Sequence, residues 1–122
     1  MLQKTSHYMR EANLIGGEWV QADSGATLDV TNPATTLKIG TVPKSGKAET
    51  RRAIEAAQEA FESWKKTTAN ERSKLLRRLH DLILENQDAL AELLTMEQGK
   101  SLAEAKGEVG ISAAYVLWFA EE

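Results

Sequence analysis

Thr95-Met96-Glu97-Gln98-Gly99-Lys100-Ser101-Leu102-Ala103-Glu104-Ala105-Lys106-Gly107-Glu108 carries one helical pattern to its end and starts another. The helical pattern stops there and the chain turns at Gly99. Two residues later, Ser101 and Glu104 have the spacing of a capping box, in which each side chain satisfies an amide at the other's end of the first turn. Upstream, Leu90, Leu93 and Leu94 bring an apolar pattern to Thr95. Downstream, Leu102, Ala105, Val109, Ala113, Val116 and Ala120 recur in steps of three and four. Ile111, Tyr115, Leu117, Trp118 and Phe119 fall outside that stripe, so the last helix is apolar on several sides and expects neighbours on several sides. It reaches Glu121-Glu122 with no glycine, no C-cap and no cationic last turn. The expectation is a helix cut in its middle and a chain that is a fragment.

The preceding residues repeat the same grammar. Thr68-Ala69-Asn70-Glu71 is a second capping-box pattern, and Leu75, Leu76, Leu79, Leu82 and Ile83 form the buried stripe expected of the helix it opens. Asn86 ends that helix or caps the next, and Asp88 suits a first turn. His80 lies between Leu76 and Ile83; with no cysteine and no second histidine at metal spacing, it reads as a boundary residue of the packing. Earlier still, a helix begins after Gly46. Ile54, Ala57, Phe61 and Trp64 mark its apolar face, filled out by Ala53, Ala56 and Ala60. Glu49 sits in its first turn, where the helix dipole favours a negative charge. Arg51, Arg52, Glu55, Glu59 and Glu62 cover the opposite face; Arg51-Arg52 reads as solvated surface, with phosphate contact a second choice.

Residues 13–43 have a period of two. Gly16-Gly17 separates two short apolar runs and can adopt the positive φ angles of a tight hairpin, for which Trp19 would be the core plug. Leu28-Asp29-Val30-Thr31 alternates and stops at Asn32-Pro33; Leu37-Lys38-Ile39-Gly40-Thr41-Val42 alternates again and stops at Pro43. The predicted organisation is a flexible arm over residues 1–12, where His7 is solvated, two β-hairpins over 13–43, and a helical segment over 47–122. Isolated hairpins are marginal in water, so these should lean on something larger.

The totals set limits. A chain of 122 residues, 42% hydrophobic and 27% charged, suits one globular domain. A net charge of −3, spread along the chain, implies neither a nucleic-acid partner nor a membrane surface. The absence of cysteine excludes disulfides, thiolate metal sites and a cysteine nucleophile within these residues. No apolar run approaches a membrane span or a signal peptide, so a cytoplasmic location is the expectation. No Walker loop, no Gly-x-Gly-x-x-Gly after a strand and no Gly-x-Ser-x-Gly elbow occurs. From these residues alone the chain is an α/β or α+β module without an active site, its carboxylates mostly solvated.

Five segments, in order, resemble the aldehyde dehydrogenase superfamily. Asn13-Leu14-Ile15-Gly16-Gly17-Glu18-Trp19-Val20 is similar to that family's opening hairpin. Val30-Thr31-Asn32-Pro33-Ala34-Thr35 through Gly40-Thr41-Val42-Pro43 is similar to its Asn-Pro-Ala strand pair. Ala53-Ile54-Glu55-Ala56-Ala57 with Ala60-Phe61 and Trp64 matches the next helix, and Glu71-Arg72 with Leu75-Leu76 the one after. Glu97-Gln98-Gly99-Lys100 with Leu102-Ala103-Glu104-Ala105 resembles the succinate-semialdehyde branch, which usually has proline where this chain has Ser101. Either residue can start the helix, proline by fixing φ and serine by capping.

That resemblance implies an α/β fold: the N-terminal part of a coenzyme-binding domain, whose hairpins and helices pack on a Rossmann-like sheet that follows. It implies oxidation of an aldehyde, succinate semialdehyde first, with NAD or NADP. In that chemistry a cysteine thiolate attacks, hydride passes to nicotinamide, a glutamate activates water, and an asparagine amide and a backbone amide hold the oxyanion. No catalytic or cofactor-binding residue carries over onto this chain, which is expected to be inactive alone. Two peripheral roles do. An alkali cation, K+ or Na+, would be held by carbonyls of Val30 and Thr31 and by the Glu97 carboxylate, hard oxygen donors for a hard cation. The plain alternative is a strand end and an ordinary helix-terminal glutamate. Gly107 and Ile111, one turn apart, would line the substrate tunnel; otherwise Gly107 serves close helix packing and Ile111 the core. The implied parent is a homo-oligomer, dimer or tetramer, acting on a small aldehyde. The rivals are a family member for glutarate semialdehyde or betaine aldehyde, and a truncated module that works only by binding or oligomerising.

Overall fold

The computed structural model describes residues 7–122. Residues 1–6, half of the expected arm, lie outside the described residues. β1 (Asn13–Ile15) and β2 (Glu18–Val20) form an antiparallel hairpin with Leu14 opposite Trp19. Gly16 and Gly17 make its turn at φ +62° and +85°, a pair of positive angles that side chains resist. β3 (Thr27–Thr31) pairs antiparallel with β4 (Lys38–Pro43), Leu28 facing Val42 and Val30 facing Gly40. The two hairpins are separate two-stranded sheets. Four helices follow: α1 (Lys47–Trp64), α2 (Ala69–Glu85), α3 (Gln87–Gln98) and α4 (Leu102–Glu121). Hairpins followed by helices is the order the sequence predicts.

The caps form where the residue types place them. Thr68 Oγ1 accepts the Glu71 amide at 3.2 Å and Ser101 Oγ the Glu104 amide at 3.3 Å, while each glutamate accepts the amide of its capping partner. Asn86 takes both of the roles open to it, closing α2 and opening α3, and its Nδ2 donates to Leu82 O at 2.7 Å. Gly99 is left-handed at φ +83° and donates its amide to Thr95 O.

The core is small and helical. α4 lies along α2 and α3, with Ala91 and Ala105 at 0% exposure and Val109 packed beside them, ringed by Ile83, Leu90 and Leu94. Alanines at the closest approach let the backbones come together. Ala113 and Ala120 continue the buried line along α4. At its rim Lys106 pairs with Asp88 at 2.7 Å and Arg77 with Glu121 at 2.8 Å, exposed pairs that each contribute little.

Several side chains lie elsewhere than the sequence reading puts them. On α2 the stripe divides. Leu76, His80 and Ile83 are half-buried, and Leu75, Leu79 and Leu82 are exposed. On α1, Ile54, Phe61 and Trp64 are exposed; among the described residues the helix is met by the β1–β2 hairpin and, through Glu49 and Arg52, by the loop after it. Periodicity tells which residues share a face, not what arrives to cover it. Trp19 is not a core plug. It is 55% exposed, with the Arg10 guanidinium 5.6 Å from its ring centre. Arg51 and Arg52 are exposed surface, as read, and the Arg52 guanidinium also makes a two-pronged bond to Asp23 at 2.6 and 2.8 Å. The described half of the arm is held in place. Glu11 accepts both the amide and the hydroxyl of Thr41, at 2.7 and 2.9 Å, and the Tyr8 hydroxyl donates to Asn86 Oδ1.

Glu49 does more than face a helix dipole. It is 6% exposed, and its two carboxylate oxygens accept the amides of Asp23 at 2.9 Å and Gly46 at 3.0 Å. The start of α1 is thereby stitched to the loop after β2. Those donors hold the carboxyl below the usual glutamate range, the Asp23 amide first.

Candidate functional site

The β3–β4 loop is organised by Asn32. Its side-chain oxygen accepts the amides of Ala34 and Thr35 at 2.9 and 3.3 Å, and its backbone bonds to Thr36 and Leu37. This local ring presents Pro33 at the tip. The proline ring lies against Gly99, so closely that a Cβ built on Gly99 would be 2.8 Å from Pro33 Cγ. Gly99 therefore answers two demands, a left-handed backbone and a proline pressed onto its open side.

This contact joins the β3–β4 loop to the α3–α4 turn. Val30 and Thr31 lie just before Pro33, and Glu97 lies two residues before Gly99 in the last turn of α3. The β3–β4 ladder slips between Val30 and Thr31, the two residues proposed from the resemblance to offer carbonyls. Such an irregularity leaves backbone groups outside the regular pairing. Val30 is half-buried, whereas Thr31 and Glu97 are exposed.

Electrostatics favour a cation beside α3's end. The final carbonyls of a helix carry partial negative charge, and Glu97 adds a full one with no basic residue in that turn. Lys100 is engaged with Glu108. Among the described residues, no hydrogen bond or ion pair reaches the Glu97 carboxylate. Glu104 differs: its carboxylate closes the α4 capping box, and the Ser101 hydroxyl and then amide hold its pKa below the usual range. No group of three or more His, Cys, Asp or Glu side chains that could hold a metal exists among the described residues. A site here would rest on backbone oxygens and one carboxylate, the donor set of an alkali cation.

Gly107 and Ile111 lie together on the outward face of α4. A Cβ on Gly107 would meet nothing within 4 Å, and Ile111 is 60% exposed. Within the described residues neither serves helix packing or the core. Tyr115 and Trp118 continue the same face, both exposed. Of the apolar surplus on α4, Ile111, Tyr115, Trp118 and Phe119 are exposed, whereas Leu117 is half-buried. The sequence reading missed the part played by Asn32, Pro33 and Gly99 as a unit. Each was legible as a turn residue, but nothing in the sequence signals that residues 66 apart touch.

Three comparisons bear on this arrangement. The profile of the aldehyde dehydrogenase family matches residues 19–122. The glutarate-semialdehyde dehydrogenase of Pseudomonas putida is 57% identical over 122 residues, all of this chain and 25% of that protein. The NADP+ succinate-semialdehyde dehydrogenase of Escherichia coli is 52% identical over 117 residues, 96% of this chain and 24% of that protein. The crystal structure of succinate-semialdehyde dehydrogenase from Burkholderia pseudomallei superposes with a TM-score of 0.90 at 57% identity, covering 93% of this chain and 23% of that one. The chain thus spans about a quarter of the length of the curated relatives it matches.

Proposed function

Because this chain belongs to the aldehyde dehydrogenase family, we propose that it is the N-terminal part of an NAD(P)-dependent enzyme oxidising the aldehyde of a short dicarboxylic semialdehyde, succinate semialdehyde in the first instance. The observation that carries the reading is the end-to-end similarity, above 50% identity, to enzymes named for that substrate class. Glutarate semialdehyde is the second reading, favoured by the 57% identity to the Pseudomonas putida enzyme. The two substrates differ by one methylene, a difference that apolar contacts discriminate by only about 1–3 kcal/mol.

The described residues offer no phosphate-cradling loop between a strand and a helix, so the nicotinamide nucleotide, which accepts hydride in this chemistry, would be held by other parts of the enzyme. The nucleophilic cysteine would also come from other sequence, since these residues include none. The role of this part is architectural. Its exposed apolar faces, Ile54, Phe61 and Trp64 on α1 and Ile111, Tyr115 and Trp118 on α4, would be covered by the remaining domain, with Gly107 and Ile111 on the tunnel wall. Val30, Thr31 and Glu97 would hold K+ or Na+. The two-stranded ladder irregularity and the uncompensated charge at the end of α3 support that assignment.

Initial rates of the intact enzyme with succinate semialdehyde, glutarate semialdehyde and betaine aldehyde, each with NAD+ and NADP+, test the proposal. A kcat/KM highest for the two semialdehydes is expected. Preference for betaine aldehyde, or no turnover of any of the three, would overturn it. For the cation, thermal unfolding in KCl or NaCl should exceed that in choline chloride at equal ionic strength, and Glu97→Gln should remove the difference.

A further inference from the structure

The β3–β4 hairpin has little to hold it on the helices. Apart from pairing within itself, it makes no extensive contact with any helix. Its loop touches the α3–α4 turn through Pro33 and Gly99. A second attachment comes from an unexpected quarter, the segment just before β1. Glu11 clamps the middle of β4 by accepting two hydrogen bonds from Thr41. The Met9 side chain lies over Gly40, where an added Cβ would be 2.9 Å from its methyl carbon. Tyr8 donates its hydroxyl to Asn86, the residue shared by the end of α2 and the start of α3. Gln21 Nε2 donates to Glu11 O at 2.8 Å, tying the same segment to the residue after β2.

We infer that Tyr8–Glu11 is a positioning strap that sets where the β3–β4 hairpin sits on the helical half, and so where Val30 and Thr31 lie relative to Glu97. The geometry is a closed frame. Gly40 under the strap is the ladder partner of Val30, while Asn86 at the strap's other end begins the helix whose last turn carries Glu97. Among the described residues, Pro33 on Gly99 ties the hairpin at its loop and the strap ties it across its centre, while Asn13 Nδ2 donates to Ser45 Oγ at 2.7 Å just beyond β4. With the tip contact alone, the hairpin could pivot and the carbonyls of β3 would lose their fixed distance from Glu97. The functional half of this inference rests on the cation assignment above; the mechanical half does not.

The test uses Tyr8→Phe, Glu11→Ala and Glu11→Gln in the intact enzyme, with two readouts. The first is the potassium concentration that half-saturates the thermal shift. Tyr8→Phe and Glu11→Ala should raise it several-fold, and Glu11→Gln, which keeps a carbonyl acceptor for Thr41, should restore it. A uniform loss of stability with unchanged half-saturation would overturn positioning in favour of a merely structural contact. The second readout is hydrogen exchange, which decides the case where the parent protein shows no potassium response and the cation assignment itself fails. Either strap-breaking variant should then speed exchange both along β3–β4 and in the first turn of α3, where Leu90 donates to Asn86 O. Acceleration confined to the variant's own immediate partner would overturn the strap.

Discussion

Replacing Gly99 with alanine should damage this protein far more than a helix-end substitution ordinarily does. Two penalties act at once. A left-handed backbone, here at φ +83°, costs a residue with a Cβ about 1–2 kcal/mol. The new methyl would also sit 2.8 Å from Pro33 Cγ, whereas carbon atoms rest about 3.5–4.0 Å apart. The loop must therefore retreat by roughly 1 Å; overpacking costs about 1–3 kcal/mol in a core, and the lower end applies to this exposed contact. The sum is about 2–3 kcal/mol, which at a urea m-value of roughly 2 kcal/mol/M lowers the midpoint by about 1–1.5 M. Urea titrations followed by circular dichroism measure this for Gly99→Ala, Pro33→Ala and the double variant. The double variant should recover the packing share and keep the backbone share, so the two substitutions should be strongly non-additive. A loss below about 1 kcal/mol for Gly99→Ala, or simple additivity with Pro33→Ala, would refute the reasoning.

Other consequences follow from single contacts. Glu49 is held below its ordinary pKa when folded, so its contribution is complete above the usual glutamate value of about 4.3 and is lost as pH falls through the folded value. Stability against pH should therefore show a flatter acid limb in Glu49→Gln than in the parent, and parallel limbs would contradict the assignment. Ser101 has φ −63° and ψ 151°, a conformation proline also adopts. Ser101→Ala should cost about 1 kcal/mol through the lost cap, while Ser101→Pro should cost less, because a rigid φ lowers the entropy of the unfolded chain. If thermal melts rank them the other way, the cap matters less than the backbone's remaining amide bond. Ala105 has no exposed surface and faces Ala91 across the core. Ala105→Leu should lose about 1–3 kcal/mol by overpacking, and an unchanged denaturation midpoint would mean that the helices are not in close contact there.

Local chemistry was legible in the sequence because it depends on a few neighbouring residues. The turns at Gly16-Gly17 and Gly99, the capping boxes at Thr68 and Ser101, and the double duty of Asn86 all involve atoms within four residues of one another. The residue types alone therefore determined the order of hairpins and helices, and most of their boundaries. The five family-like segments were legible for the same reason, as they are written in contiguous residues. Tertiary structure alone decided the rest. It split the α2 stripe, covering Leu76 and Ile83 and leaving Leu75, Leu79 and Leu82 outside. It left Trp19 exposed, gave the exposed Arg52 a partner in Asp23, and tied Tyr8–Glu11 of the expected arm to Asn86 and β4. It also set Pro33 on Gly99, joining the β3–β4 loop to the α3–α4 turn. Hydrophobic period and charge specify what each residue needs in its surroundings. Which partner meets that need depends on how distant segments are brought together, and that is a property of the folded chain.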